Sequence, residues 1–124
     1  MVYFLGSMNK KMVVPWFKSS YAALFSTTAH PVQQTCSPNK LFDSFAAGVP
    51  VIQTSTGWIK DEIQNENCGI SLDLHNIKES AQSIFNFLND VKLRNEYSLN
   101  SKKLAIKKYD KKTLANKYIS IFNS

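Results

Sequence analysis

Residues 37–53, Ser-Pro-Asn-Lys-Leu-Phe-Asp-Ser-Phe-Ala-Ala-Gly-Val-Pro-Val-Ile-Gln, are where residue types and order point to chemistry rather than to packing. Ser37 can cap a helix through its side-chain oxygen, and Pro38 suits the first helical position, where a missing N–H costs nothing. The free amides then fall at Asn39, Lys40 and Leu41. A lysine in the first turn opposes the helix dipole by about 0.3–1 kcal/mol, and a bound anion would reverse that sign. Free amides, the positive dipole end and Lys40 together make a phosphate site. The plainer alternative is a solvated surface lysine on an ordinary helix.

The elements that must position these residues can be read outward from them. At about 100° per residue, Leu41, Phe42, Phe45 and Ala46 share one side of the helix, while Asn39, Lys40, Asp43 and Ala47 share the other. Gly48 is the expected left-handed cap, and Pro50 opens a short apolar strand over residues 50–53. Upstream, residues 2–5 and 21–25 read as buried parallel strands. Between them, Pro15 sets a helix start near Val14, with Trp16 and Phe17 inward. Residues 26–36 form a polar loop.

Downstream, the small and polar residues 54–59 suit a loop that closely approaches a ligand, and residues 60–65 suit a brief helix. A turn at Asn67-Cys68-Gly69 leads to a fourth apolar run over residues 69–72. Asn76 and Glu79 make a capping-box start for a helix whose periodicity is Ile77, Ala81, Ile84, Phe85 and Leu88. Two more helices follow. The first, over 91–109, turns Leu93, Tyr97 and Leu104 inward, and the second, over 112–122, turns Leu114, Tyr118, Ile121 and Phe122 inward, with Asp110 as its cap. The fold class is α/β: a Rossmann-like parallel sheet of about four strands with helices on both faces, binding ligands beyond the strands' carboxyl ends.

Composition narrows the function classes. The 124 residues, 44% hydrophobic, fit one domain with a small core. No apolar run approaches the roughly 20 residues of a membrane span, and residues 2–5 are too short for a signal-peptide core of about 7–15. The expectation is a soluble, cytoplasmic protein. Cys36 and Cys68 form no Cys-x-x-Cys pair and have no closely spaced histidines, so reduced, partly buried thiols and no metal site are expected. His30 and His75 are isolated, with no arrangement suggesting a catalytic triad.

The net charge of +6 is uneven: residues 1–90 carry six Lys against seven Asp or Glu, and residues 91–124 carry nine Lys or Arg against Glu96 and Asp110. The tail reads either as the solvated face of amphipathic helices or as a surface drawn to anionic membrane. No aromatic-studded basic groove points to nucleic acid.

Assembled, these pieces resemble the carboxyl-terminal nucleotide-sugar-binding domain of retaining glycosyltransferases of the GT-B fold, glycosyltransferase family 4. The likeness is carried by Phe4-Leu5-Gly6, Val14-Pro15, the Ser37–Asp43 block, Ala46-Ala47-Gly48-Val49-Pro50-Val51-Ile52, Thr54 with Gly57, and Cys68-Gly69-Ile70. It is strongest toward members attaching amino or deoxy sugars in bacterial surface-polysaccharide synthesis. The resemblance implies that the helix start at Ser37, Pro38, Asn39, Lys40 and Leu41 holds the donor's diphosphate. Asp43, in place of a commoner glutamate, would hold the ribose hydroxyls, and Gly57 and Trp58 would border the nucleotide. Thr35, beside Cys36, stands where the family has a glutamate on the donor sugar.

The resemblance also implies a separate acceptor-binding domain, two further strands and their basic residues. The chain therefore reads as a partial donor-binding domain, inactive when isolated, acting with a nucleotide-sugar donor and a glycan or lipid-linked acceptor, and with no cofactor or metal. Residues 2–5 and 21–25 are expected to close as adjacent strands, with homodimer pairing at the sheet edge as the alternative. The competing functional reading is a small α/β nucleotide- or partner-binding module without catalysis.

Overall fold

The structure is a computed structural model describing residues 1–28 and 30–123. Ala29, inside the predicted polar loop, and Ser124 lie outside the described residues. The order of elements is α1 (Lys10–Ser19), β1 (Ala23–Phe25), a 3-10 turn (Pro31–Thr35), α2 (Asn39–Ala47), β2 (Val51–Gln53), α3 (Trp58–Asn65), β3 (Gly69–Ser71), α4 (Ile77–Asn89), α5 (Val91–Lys108) and α6 (Lys111–Phe122). The three strands are parallel in the order β1-β2-β3, flanked by helices, which bears out the Rossmann-like reading with three strands instead of four.

The missing strand is the predicted one at residues 2–5. Val2, Tyr3, Phe4 and Leu5 are exposed and irregular, so the expected closure against β1 does not form. A strand is held by its neighbour's hydrogen bonds and by a covering face, and this apolar run has neither. Strand β1 remains an edge, and Leu24 on it is exposed.

Helix α1 starts earlier than Pro15 predicts, because the Asn9 side chain accepts a hydrogen bond from the Met12 amide at 3.1 Å and caps the helix there. Pro15 is tolerated inside since it lies on the exposed side, where the Lys11 carbonyl that loses its partner can meet water. Val13 and Phe17 form the half-buried side, and Trp16 is exposed.

The core joins α2 (Leu41, Phe45), β2 (Val51), α3 (Ile59, Ile63), Cys68 and α5 (Leu104). Ala46, predicted inward, is exposed, and Ser44 takes a buried place instead, its hydroxyl donating to the Lys40 carbonyl at 2.7 Å. Gly48 ends α2 at φ 70°, ψ 35°, the left-handed cap expected of it. Gly69 is required for a different reason: a Cβ there would stand 2.0 Å from the Val51 carbonyl oxygen of the neighbouring strand.

Helix α5 straps the amino-terminal side of the sheet. The Ser98 hydroxyl donates to the Gly48 carbonyl at 2.5 Å, that of Ser101 to Cys68 at 3.2 Å, and the Asn100 amide to Asn67 at 3.1 Å. Farther along, Leu104 enters the core, and Tyr109 packs on Phe42 and donates to Glu62 at 3.1 Å. Burial, with Glu62 and Glu66 nearby, pushes the Cys68 thiol up to about 12. Burial and the Glu62 carboxylate likewise raise the Tyr109 phenol.

Two predicted inward faces are corrected. Helix α4 keeps its Asn76–Glu79 cap, yet the residue it buries is Phe87; of the predicted stripe, Ile84 is half-buried and Ile77, Ala81, Phe85 and Leu88 are exposed. The Phe87 ring meets Tyr97 of α5 at 5.8 Å, a tertiary choice between two apolar arcs that periodicity cannot make. Helix α6 is capped by Asp110 as predicted, but buries no residue: Leu114, Tyr118, Ile121 and Phe122 are all exposed. The hydrogen bonds from Thr113 hold the Asp110 carboxyl below its ordinary range. Cys36, predicted partly buried, is exposed, while Cys68 is buried.

Candidate functional site

The carboxyl ends of the strands carry small polar side chains that bond one another. Thr27 N–H donates to Thr54 Oγ1 at 2.9 Å, Thr54 Oγ1 donates back to the Thr27 carbonyl at 3.0 Å, and the Thr27 and Ser55 hydroxyls meet at 3.1 Å. Gln53, fully buried at the end of the central strand, donates to Ser71 Oγ at 2.7 Å and accepts from the Ser55 amide. A buried amide must be satisfied this way, and its two bonds tie the end of β3 at Ser71 to the start of the loop after β2 at Ser55. The result is a rigid rim.

Two openings flank that rim. One, of about 490 Å³, is bordered by Phe25, Thr27, Cys36, Pro38 and Leu74 and lies beside the start of α2. The other, of about 230 Å³, lies beyond β2 and β3 and carries Lys60, Asp73 and His75.

Helix α2 meets the first opening with an uncapped start. Pro38, not Ser37, is the capping residue, because its ψ of 124° keeps it extended, and proline's fixed φ serves that position as well as the first helical one. No side chain caps this helix, and Ser37 is exposed. Leu41 N–H already donates to the Pro38 carbonyl at 3.0 Å, so the expected trio of free amides reduces to Asn39 and Lys40, which have no protein acceptor among the described residues. The Asn39 and Lys40 side chains are exposed, and that of Leu41 is in the core.

Asp43 stands elsewhere. Its carboxylate accepts from Lys10 Nζ at 3.3 Å, at the mouth of a groove between α1 and α2 of about 250 Å³. A second groove, of about 330 Å³, lies on its other side toward Tyr109, the residue that ends α5. Lys10 was not foreseen as a site residue. It is 33 positions from Asp43, and only the packing of α1 on α2 brings them together.

Of the remaining predicted residues, only Cys36 borders the first opening. Thr35 closes the 3-10 turn by donating to the Val32 carbonyl at 2.9 Å. Gly57 precedes α3 at φ 70°, ψ −148°, a conformation that favours glycine. Trp58 turns its ring against the core and is half-buried. His30 accepts from the Val32 amide, and no three His, Cys, Asp or Glu side chains cluster among the described residues as a metal ligand set. The buried Gln53–Ser71 pair was missed by sequence reasoning; a polar residue closing an apolar strand was the available signal.

Compared with known families, the chain matches the one described as Glycosyl transferases group 1 over residues 1–90. No characterised protein matches it significantly. The match runs through α1, the start of α2, the polar rim and α4, and leaves only α5 and α6 outside it. The chain therefore belongs to the group 1 glycosyl transferases.

Proposed function

We propose that the chain is the donor-binding part of a retaining, metal-independent transferase of the GT-B fold, glycosyltransferase family 4. It would take a nucleotide-diphosphate sugar and serve a glycan or lipid-linked acceptor in surface polysaccharide or glycolipid synthesis. The observation that carries this reading is the uncapped start of α2, where the Asn39 and Lys40 amides follow Pro38, which borders an opening at the strands' carboxyl ends, and the Lys40 side chain is exposed. These groups suit a diphosphate. When the bond from the sugar's anomeric carbon to the diphosphate oxygen breaks, the electron pair goes to that oxygen, and donors aimed at it stabilise the developing charge.

Asp43 would accept hydrogen bonds from two ribose hydroxyls, exchanging or sharing its contact with Lys10. Thr35 and Cys36 would lie on the sugar side, and Gly57 and Trp58 beside the nucleotide. Acceptor recognition is assigned to residues outside these 124, so the polypeptide alone is expected to bind donor without transferring sugar.

A thermal-shift panel of UDP, GDP, ADP and their sugar-linked forms tests the reading. A ligand at 100 times its Kd stabilises by about 2.7 kcal/mol, a readily measured rise. The rise should shrink in Lys40→Ala and in Asp43→Ala. No shift with any diphosphate, or an equal shift in both variants, would overturn it. The second reading, a small α/β module without catalysis, is favoured by one observation: Asp43 is turned toward Lys10 as an ordinary surface pair. That reading expects no diphosphate-dependent shift, and a Lys10→Met variant that differs from the parent only slightly in stability.

A further inference from the structure

The second opening, beyond β2 and β3, stands apart from the start of α2, and its lining suits a ligand of a different kind. Three separate elements converge on this cavity of about 230 Å³: α3 brings Lys60 and Gln64, the loop after β2 brings Thr56, and the loop after β3 brings Asp73. Ser55 and Ser71 also line it, and the buried Gln53 holds both in place. The convergent groups are free to bond elsewhere. Among the described residues, the Thr56 hydroxyl, the Lys60 ammonium and the Gln64 amide have no partner, and Asp73 engages one carboxylate oxygen, which accepts from the His75 amide at 2.9 Å.

Charge and shape narrow the choice of ligand. An anion here would face Asp73, a metal ion would face Lys60, and a nucleobase would find no aromatic ring to stack on. A carboxylate, an ammonium, an amide and hydroxyls around one small space suit a neutral molecule that donates and accepts hydrogen bonds in several directions. Leu72 and Leu74 offer apolar sides for its C–H faces. The volume falls below the roughly 300–1,000 Å³ of sites for drug-sized ligands, which leaves room for a single ring.

We propose that this opening holds one neutral sugar ring of the acceptor glycan. One ring hydroxyl donates to the free Asp73 oxygen, and its neighbours accept from Lys60 and Gln64. Leu74 fixes the position of such a ring, because it borders both openings and so makes the ring a neighbour of whatever occupies the one beside Pro38. The donor's own sugar belongs with its diphosphate in that other opening, where Cys36 stands. The inference deepens the donor-binding reading and rests on it for the source of the ring. The acceptor's remaining contacts stay with residues outside these 124.

The test is saturation-transfer NMR on the full chain with the methyl glycosides of glucose, galactose, mannose and N-acetylglucosamine, each at up to about 50 mM. At least one should bind. Asp73→Asn should weaken that binding about tenfold and Lys60→Met about fivefold, since hydrogen bonds to charged groups are the strong ones. Both side chains are exposed, so the unfolding midpoints of these variants should stay near that of the parent. Saturating UDP, or the Lys40→Ala change, should leave the glycoside bound. No transfer to any of the four overturns the proposal, as do unchanged affinities in both variants. Displacement of the glycoside by UDP also overturns it, by placing the ring in the donor opening. A glycoside that binds while no diphosphate raises the unfolding temperature overturns the donor-binding reading instead and leaves the ring site standing.

Discussion

The two ends of the sheet use hydrogen bonds in opposite ways. At the amino-terminal end, helix α5 reaches across to satisfy the carbonyls of Gly48, Asn67 and Cys68, and Leu104 seals the core beneath them. At the carboxyl end, the polar side chains at and just after the strand ends bond one another and the neighbouring backbone, and the first amides of α2 are left without acceptors among the described residues. One end is closed on the rest of the chain and the other is rigid but open. An unmet donor beside a fixed rim is a place for a ligand, whereas a met one is part of the scaffold.

That contrast predicts large stability effects at the closed end and small ones at the open end. Gly69→Ala should be the most severe, because a Cβ 2.0 Å from the Val51 carbonyl forces the β2–β3 pair apart. We expect a loss of about 4 kcal/mol or more in urea unfolding. A loss under about 1 kcal/mol would mean that the two strands can separate freely. Leu104→Ala should follow at about 3 kcal/mol, with diphosphate response retained in the folded fraction. Retained stability would show that α5 is not the clamp.

Alkaline pH should act at the closed end as well. The Cys68 and Tyr109 groups are held above their unfolded values of 9.0 and 10.0, so the folded state keeps protons that the unfolded state releases. Their contribution is complete below pH 9 and is lost as pH climbs toward and past 12. Thermal unfolding temperature should therefore fall over that window, and Cys68→Ala should flatten the fall relative to its own value at pH 7. An identical slope in the variant would place the titrating groups elsewhere.

The smallest stability effect belongs to the open end. Asp43→Asn removes an ion pair whose lysine is 82% exposed, and such pairs contribute about 0–1 kcal/mol. Its unfolding midpoint should barely move, while its thermal response to nucleotide diphosphates should drop. A large destabilisation with an unchanged ligand response would assign Asp43 to the scaffold and erase the contrast.

How far the residues disclosed this arrangement differs from element to element. The strands after Tyr21, the left-handed end at Gly48 and the caps at Asn76 and Asp110 follow from local stereochemistry, and each appears where the residue types require it. The start of α2 was located within one residue, but which residue caps it depended on a single ψ at Pro38. The strand predicted at residues 2–5 failed because apolar character does not supply a pairing partner. The inward faces of α4 and α6 failed because an amphipathic stripe says which side could be buried, and not whether anything arrives to bury it.

By itself, the sequence determined the alternating strands and helices, the helix start at Pro38 to Lys40 and the concentration of positive charge after residue 90, since all three depend on residues close together in the chain. Only the tertiary structure decided that Lys10 meets Asp43, that Gln53 ties the end of β3 to the loop after β2, that Gly69 must lack a Cβ and that α5 is built in while α6 is not. These depend on where distant segments come to rest, and hydrophobic burial, being non-directional, leaves that choice to the packing of the whole chain.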